Sequence, residues 1–235
     1  MKSKFEKIEA LMVAEGLSRE DVIAYLQQKE EQSNSEVLKP KKLAMVNPDF
    51  PADDIRSRTK LFWYAFEGGK FSPDFKEYPN CQGVVGWINP DSNAPEGERI
   101  YVVLPEQQKL QYSDKDYATR VTDLYDGKAN TQKLIEYGRK HLVSFPAAEY
   151  AYNYCKNGVK QGEAFLPAGE QLERVVVNRD DIRKSLKLIG GTFEDYLWSS
   201  SEYDSRFAFG VDSDCDDVGI GDKDSDGSVS CFLAY

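Results

Sequence analysis

Apolar residues recur along this chain in three successive textures. At the start, Phe5, Ile8, Leu11 and Met12 fall at helical spacing and Gly16 ends the run. Ser18 with Asp21 then makes a capping start for a second helix carrying Val22, Ile23, Tyr25 and Leu26. Residues 1–31 therefore read as a helical hairpin with apolar faces too narrow to be stable alone. The expectation is that they pack on the main domain or on copies of themselves, so that self-association into a homo-oligomer would run through residues 1–31. Residues 32–42, polar from Gln32 to Pro40, read as a linker.

From about residue 43 the pattern changes to short strands. Leu61 to Phe66 is an apolar run closed by a turn at Gly68-Gly69. Gly83 to Ile88 and Arg99 to Leu104 form a second apolar pair across a turn-rich segment, which is hairpin logic with a long loop. Helical periodicity follows. One helix is expected from a cap at Asn130 or Thr131 through Arg139, and a second opens at Pro146 with Ala147, Tyr150, Ala151 and Tyr154 on a shared face. A third spans about Gly169 to Val177, and a fourth opens at Asn178 or Asp180 and is terminated by Gly190-Gly191. Strands return at Leu197-Trp198, Arg206 to Val211, Val218 to Ile220 and Val229 to Leu233. Strands, then helices, then strands imply an α+β domain over 43–235.

Charge and composition narrow the chemistry. The net charge of −10 and scattered Lys and Arg leave no basic stripe for phosphate contacts, so nucleic acid is not an expected partner. No window reaches the apolar length of a membrane span. The opening residues, broken by Glu6, Lys7, Glu9 and Glu15, do not form a secretory apolar core, so synthesis in the cytosol is expected, with a phage virion as one destination. Cys81, Cys155, Cys215 and Cys231 match no zinc or redox spacing and read as free thiols. His141 is the single histidine, which removes any His-cluster metal site.

The final residues behave differently from the rest. From Tyr203 onward, Lys223 is the only residue among Lys, Glu, Gln, Met and Trp, although these types are common upstream. They share a genetic property: an asparagine codon whose adenines are randomised reaches Asp, Ser, Gly, Tyr, Phe, Cys, Val, Ile, Ala, Arg and several others, but none of those five. A flexible acidic tail is the plainer explanation. It conflicts with the apolar content of Trp198, Phe207, Phe209, Val211, Val218, Val229, Phe232 and Leu233.

The runs FPAAEYAYNYC and FLPAGEQL, a helix ending in GGT, then YLWSSSEY and a terminal LAY carry a family resemblance. Together they resemble a bacterial and phage family of domains whose tails read WSSSEY, then Asn- and Tyr-rich sequence, then VRPVLAF. That family is similar to the C-type lectin fold in the version shared with formylglycine-generating enzymes, and several members are variable proteins of diversity-generating retroelements. The likeness covers 119–235, is weaker over 78–118, and excludes the first 60 residues. It places Ala208, Val211, Val218, Gly219, Lys223, Val229, Leu233 and Ala234 at scaffold positions and the rest of the tail, about 203–235, at variable ones. Two positions depart from the pattern: Ser230-Cys231 stand where the family has Arg-Pro, and Ala164 where it has Trp.

The resemblance and the codon pattern together imply a non-enzymatic receptor-recognition protein whose hypervariable C-terminal surface binds a protein ligand. The expected ligand-binding residues are Asp204, Ser205, Arg206, Phe207, Phe209, Asp212, Asp214, Asp216, Ile220, Asp222, Asp224 and Asp226. Their aromatic anchors and adaptable polar groups suit protein contact, and their carboxylates favour a basic or cell-surface partner. No cofactor, metal or catalytic residue is expected. Two alternatives stand beside this reading. Asp222, Asp224, Asp226 and Gly227 match the first half of a calcium loop, which would suit a calcium-dependent lectin, although Leu233 stands where the closing Glu belongs. An enzyme like the formylglycine-generating ones would need a C-terminal cysteine pair, and Cys215 and Cys231 are its only echo.

Overall fold

A computed structural model of the protein describes residues 50–193, 196–212 and 217–235. The helical hairpin expected at 1–31 and the linker at 32–42 lie outside the described residues. After a short 3-10 helix at Ile55–Arg58 come β1 (Tyr64–Phe66), β2 (Lys70–Ser72), β3 (Cys81–Ile88) and β4 (Ile100–Gln111). Four helices follow: α1 (Gly127–His141), α2 (Pro146–Tyr152), α3 (Gly169–Val176) and α4 (Arg179–Leu188). The chain closes with β5 (Tyr196–Glu202), β6 (Phe207–Asp212), β7 (Asp217–Asp222) and β8 (Asp226–Ala234). The architecture is α+β. No described helix is long and apolar enough to cross a membrane.

All eight strands join one sheet in the order β2-β1-β3-β4-β8-β5-β6-β7. The C-terminal strand therefore lies at its centre, antiparallel to β4, with β5 parallel to it on the other side. β8 runs unbroken through Ser230-Cys231, where the family pattern has Arg-Pro. Residue alternation gives the sheet two apolar faces. Val85, Val102, Trp198, Ala208, Val229, Cys231 and Leu233 belong to one core, together with Leu134 and Ile135 of α1 and Ala147, Ala148 and Ala151 of α2. On the opposite face, a Cβ on Gly86 would meet Val103, Val175 of α3 and Ile182 of α4, so those two helices cover that side. Both faces being covered explains why β6 and β8 are buried at nearly every position rather than at alternate ones.

Local signals explain most element boundaries. Pro146 occupies the first turn of α2, and Gly190, at φ 77°, ends α4 in the left-handed region. The start of α1 differs from expectation. Asp126 caps it, accepting from the Ala129 amide at 2.9 Å, whereas Asn130 and Thr131 are buried one turn further in. Their side chains bond outward: Asn130 Nδ2 donates to the Asp123 carbonyl at 2.6 Å, and Thr131 Oγ1 accepts from Leu166 N–H at 3.0 Å. Tertiary partners for these two side chains move the helix start upstream of where local propensity puts it.

Arg56, fully buried, is a further anchor. It donates to both oxygens of Asp54 at 3.0 and 2.7 Å and to the carbonyls of Asn89 and Asp91 at 2.8 and 2.6 Å, so it clasps the β3–β4 loop. Hydrogen bonding to this guanidinium holds the Asp54 carboxyl down at about 2. A depressed carboxylate stabilises the fold above its unfolded value, and that contribution is lost as pH falls from about 4 through 2. Asp54→Asn should therefore lower stability by about 2 kcal/mol at neutral pH. In urea titrations the wild type and variant should converge as the pH is lowered through this window; a gap that stays constant would show that Asp54 makes no ionic contribution.

Candidate functional site

The candidate site is built on the segment YLWSSSEY. Trp198 is buried beneath the glycines of its neighbours: an added Cβ on Gly221 or Gly227 would lie 2.5 or 2.6 Å from its indole. Gly210 stands in the same relation to Tyr196, at 2.3 Å. These tail glycines are required because the Tyr196 and Trp198 rings, edge to face at 87°, press against the backbone of β6, β7 and β8. The three serines that follow are fully buried and each is used. Ser199 Oγ donates to the Phe209 carbonyl at 2.9 Å, Ser200 Oγ accepts from Asn130, and Ser201 Oγ donates to the Asp123 carbonyl at 2.7 Å.

Glu202 ends the segment and is its electrostatic centre. Its carboxylate accepts from the amides of Thr119 and Arg120 at 2.9 Å each, from Thr119 Oγ1 at 2.7 Å, and from Lys223 Nζ at 2.7 Å. Both side chains are nearly inaccessible, at 0% exposure for Lys223 and 3% for Glu202. Lys223 Nζ also donates to the carbonyls of Tyr117 at 2.7 Å and Ser205 at 3.2 Å, and lies 5.5 Å from the centre of the Tyr112 ring. Burial lowers the lysine pKa, opposed by the hydrogen bond and charge of Glu202. The one lysine of the tail is thus internal.

Two turns meet over this pair. The first, 203–206, is set by Asp204, whose Oδ1 accepts from the Arg206 and Phe207 amides at 2.7 and 2.8 Å. The second joins β7 to β8, with Ser225 N–H donating to the Asp222 carbonyl at 2.9 Å. Lys223 N–H bonds the Arg206 carbonyl at 3.0 Å, and Arg206 Nε donates to Asp222 Oδ1 at 2.7 Å, so the turns form one rim. Ser205, Arg206, Asp224, Ser225 and Asp226 are exposed there, with Asp204 and Asp222 half-buried.

The twelve expected ligand-binding residues do not form one face. Asp204, Ser205, Arg206, Asp222, Asp224 and Asp226 gather on the rim. Asp212 sits at the opposite end of β6, about 17 Å away by strand rise, and Asp214 and Asp216 lie outside the described residues. Ile220 is half-buried on β7. Phe207 and Phe209, expected as exposed anchors, are each 3% exposed and need correction. They share the sheet face of Val211 that α3 covers, and the Phe209 ring meets Tyr203 edge-on at 5.4 Å. Alternation along β6 buries both of its faces, which the sequence pattern of one strand could not reveal.

The calcium-loop alternative fails on geometry. Asp222 to Asp226 form a tight hairpin turn and Gly227 to Leu233 are strand, so the loop's second half does not exist, and Asp222 is turned to Arg206. Among the described residues no three His, Cys, Asp or Glu side chains gather as metal ligands. Cys81, Cys155 and Cys231 are free thiols, and Cys215 lies outside the described residues. Cys231 is buried in the core, and desolvation pushes its thiol far above the usual range, away from the reactive thiolate.

No family model matches the chain, and no curated protein does. Among solved structures it is similar to a fimbrial protein from Bacteroides ovatus, with a TM-score of 0.57 and 14% identity over 75% of this chain and 49% of that one. This likeness shows the fold alone, and the chain spans about half the length of that protein.

The division into scaffold and rim can be tested by stability. Lys223→Met should cost roughly 3–5 kcal/mol, because it leaves Glu202 charged and buried. Trp198→Ala should cost a similar amount, roughly 3–5 kcal/mol, through the cavity it opens. Ser225→Tyr should leave the denaturation midpoint nearly unchanged. Comparable losses in all three would mean that the rim is not a replaceable surface.

Proposed function

We propose that the protein is a non-enzymatic receptor-recognition module of C-type lectin-like fold, which binds a protein ligand through a C-terminal surface diversified by a retroelement. One observation carries the reading. Ser205, Arg206, Asp224, Ser225 and Asp226, all of types reachable from asparagine codons, stand exposed on adjoining turns above the buried Ala208, Val211, Val218, Lys223, Val229 and Leu233, whereas Phe207, Phe209, Ser228, Ser230, Cys231 and Phe232 are buried and fall to the core. A surface held by a buried ion pair and two aromatic rings can change its side chains without changing its backbone. The burial of Phe207 and Phe209 moves the proposed contact surface from the strand to the rim.

The rim's chemistry favours a basic partner patch. Its one exposed cation, Arg206, already pairs with Asp222, which leaves Asp204, Asp224 and Asp226 to set the sign of the field. The inaccessible, strongly protonated Cys231 thiol supports the non-enzymatic reading.

The test is to replace Ser205, Arg206, Asp224 and Ser225 together by other members of the randomised set and to measure melting and capture from a displayed library of bacterial surface proteins. An unchanged melting temperature with a changed set of captured partners is expected. Loss of folding, or an unchanged partner set, would refute it. Sequencing the flanking DNA should also reveal a near-repeat of the tail-coding region, with adenines at the rim codons, beside a reverse transcriptase gene.

A further inference from the structure

A second feature lies apart from the rim. An open cleft of about 490 Å³ is formed by α2 and the loop after it, and no residue of 203–235 lines it. This volume falls in the range of small-molecule sites. Its wall is aromatic: Tyr150 and Tyr154, one helical turn apart, present their rings edge to face at 6.5 Å. Tyr154 is buried and its hydroxyl donates to the Glu106 carboxylate. Tyr150 is half-buried, and its hydroxyl has no hydrogen-bond partner among the described residues, in contrast to Tyr64, Tyr112 and Tyr235.

The charges around the cleft are already engaged. Lys156 Nζ lies 3.0 Å from Glu106, and the Glu149 carboxylate accepts from the Phe145 amide and the Ser144 hydroxyl at 3.1 Å each. The donors to Glu149 are uncharged, so its negative charge remains and an anion is disfavoured at the cleft. Asn153 is exposed at the mouth; its Oδ1 accepts from Gln161 at 2.7 Å, which orients the amide and leaves its N–H groups to a ligand. A half-exposed tyrosine ring, a spare phenol and an oriented amide suit a neutral ring with one C–H face and several hydroxyls. We propose that the cleft is a calcium-independent binding site for a single neutral saccharide residue, which stacks on Tyr150 and hydrogen-bonds its hydroxyl and Asn153.

The test uses saturation-transfer NMR on the full chain with the methyl glycosides of mannose, galactose and N-acetylglucosamine. Transfer to the ring C–H protons of at least one is expected, unchanged by EDTA. Tyr150→Ala should weaken that affinity by about tenfold, and Asn153→Ala, at an exposed position, should weaken it while leaving melting unchanged. Ser225→Tyr, on the rim, should have no effect, so the cleft and the rim succeed or fail separately. The inference is overturned if none of the three glycosides shows transfer, if EDTA abolishes it, or if Asn153→Ala binds like the wild type.

Discussion

The buried Glu202–Lys223 pair is the constraint on which the C-terminal half depends. Taking a carboxylate and an ammonium out of water costs several kcal/mol per ion, and attraction between them offsets that only where their remaining hydrogen-bonding capacity is also filled. Here it is filled: two amides and a hydroxyl on the glutamate, and two carbonyls on the lysine. Those partners come from the 117–120 segment and the 203–206 turn. One interaction therefore ties a long irregular segment to the sheet and fixes both turns of the rim.

Around this pair the chain solves a packing problem with glycine. Tyr196 and Trp198 press on β6, β7 and β8, and Gly210, Gly221 and Gly227 are the positions that leave room for them. The resulting sheet is rigid where its two faces are covered and leaves only its turns free to accept different side chains. In the proposed recognition role this separates stability from specificity. The burial that stabilises the fold falls on residues pointing to α1 and α2 on one side and α3 and α4 on the other, while the exposed rim contributes little to the core.

The cleft beside α2 follows a different logic. Its aromatic residues belong to the same helical face that packs Ala147 and Ala151 into the core, and the tyrosines extend that face beyond the sheet. No residue of the rim lines it, although α2 itself packs on Val229 and Cys231 of β8.

Periodicity and local chemistry in the sequence determined the α+β succession, the Pro146 start of α2, the glycine stop of α4 and the exceptional character of the tail. These depend on contacts a few residues apart, so they are visible in one dimension. The lone Lys223 was a visible anomaly, and Glu202 belonged to a recognisable motif, but nothing local says that a lysine in the β7–β8 turn meets a glutamate at the end of β5. Likewise, Phe207 and Phe209 had the composition of binding anchors, and only α3 lying across β6 makes them core. Asn130 and Thr131 looked like caps until Asp123 and Leu166 supplied their partners. Tertiary structure decided which side of each strand is covered and which charges meet, because burial depends on neighbours brought from distant parts of the chain.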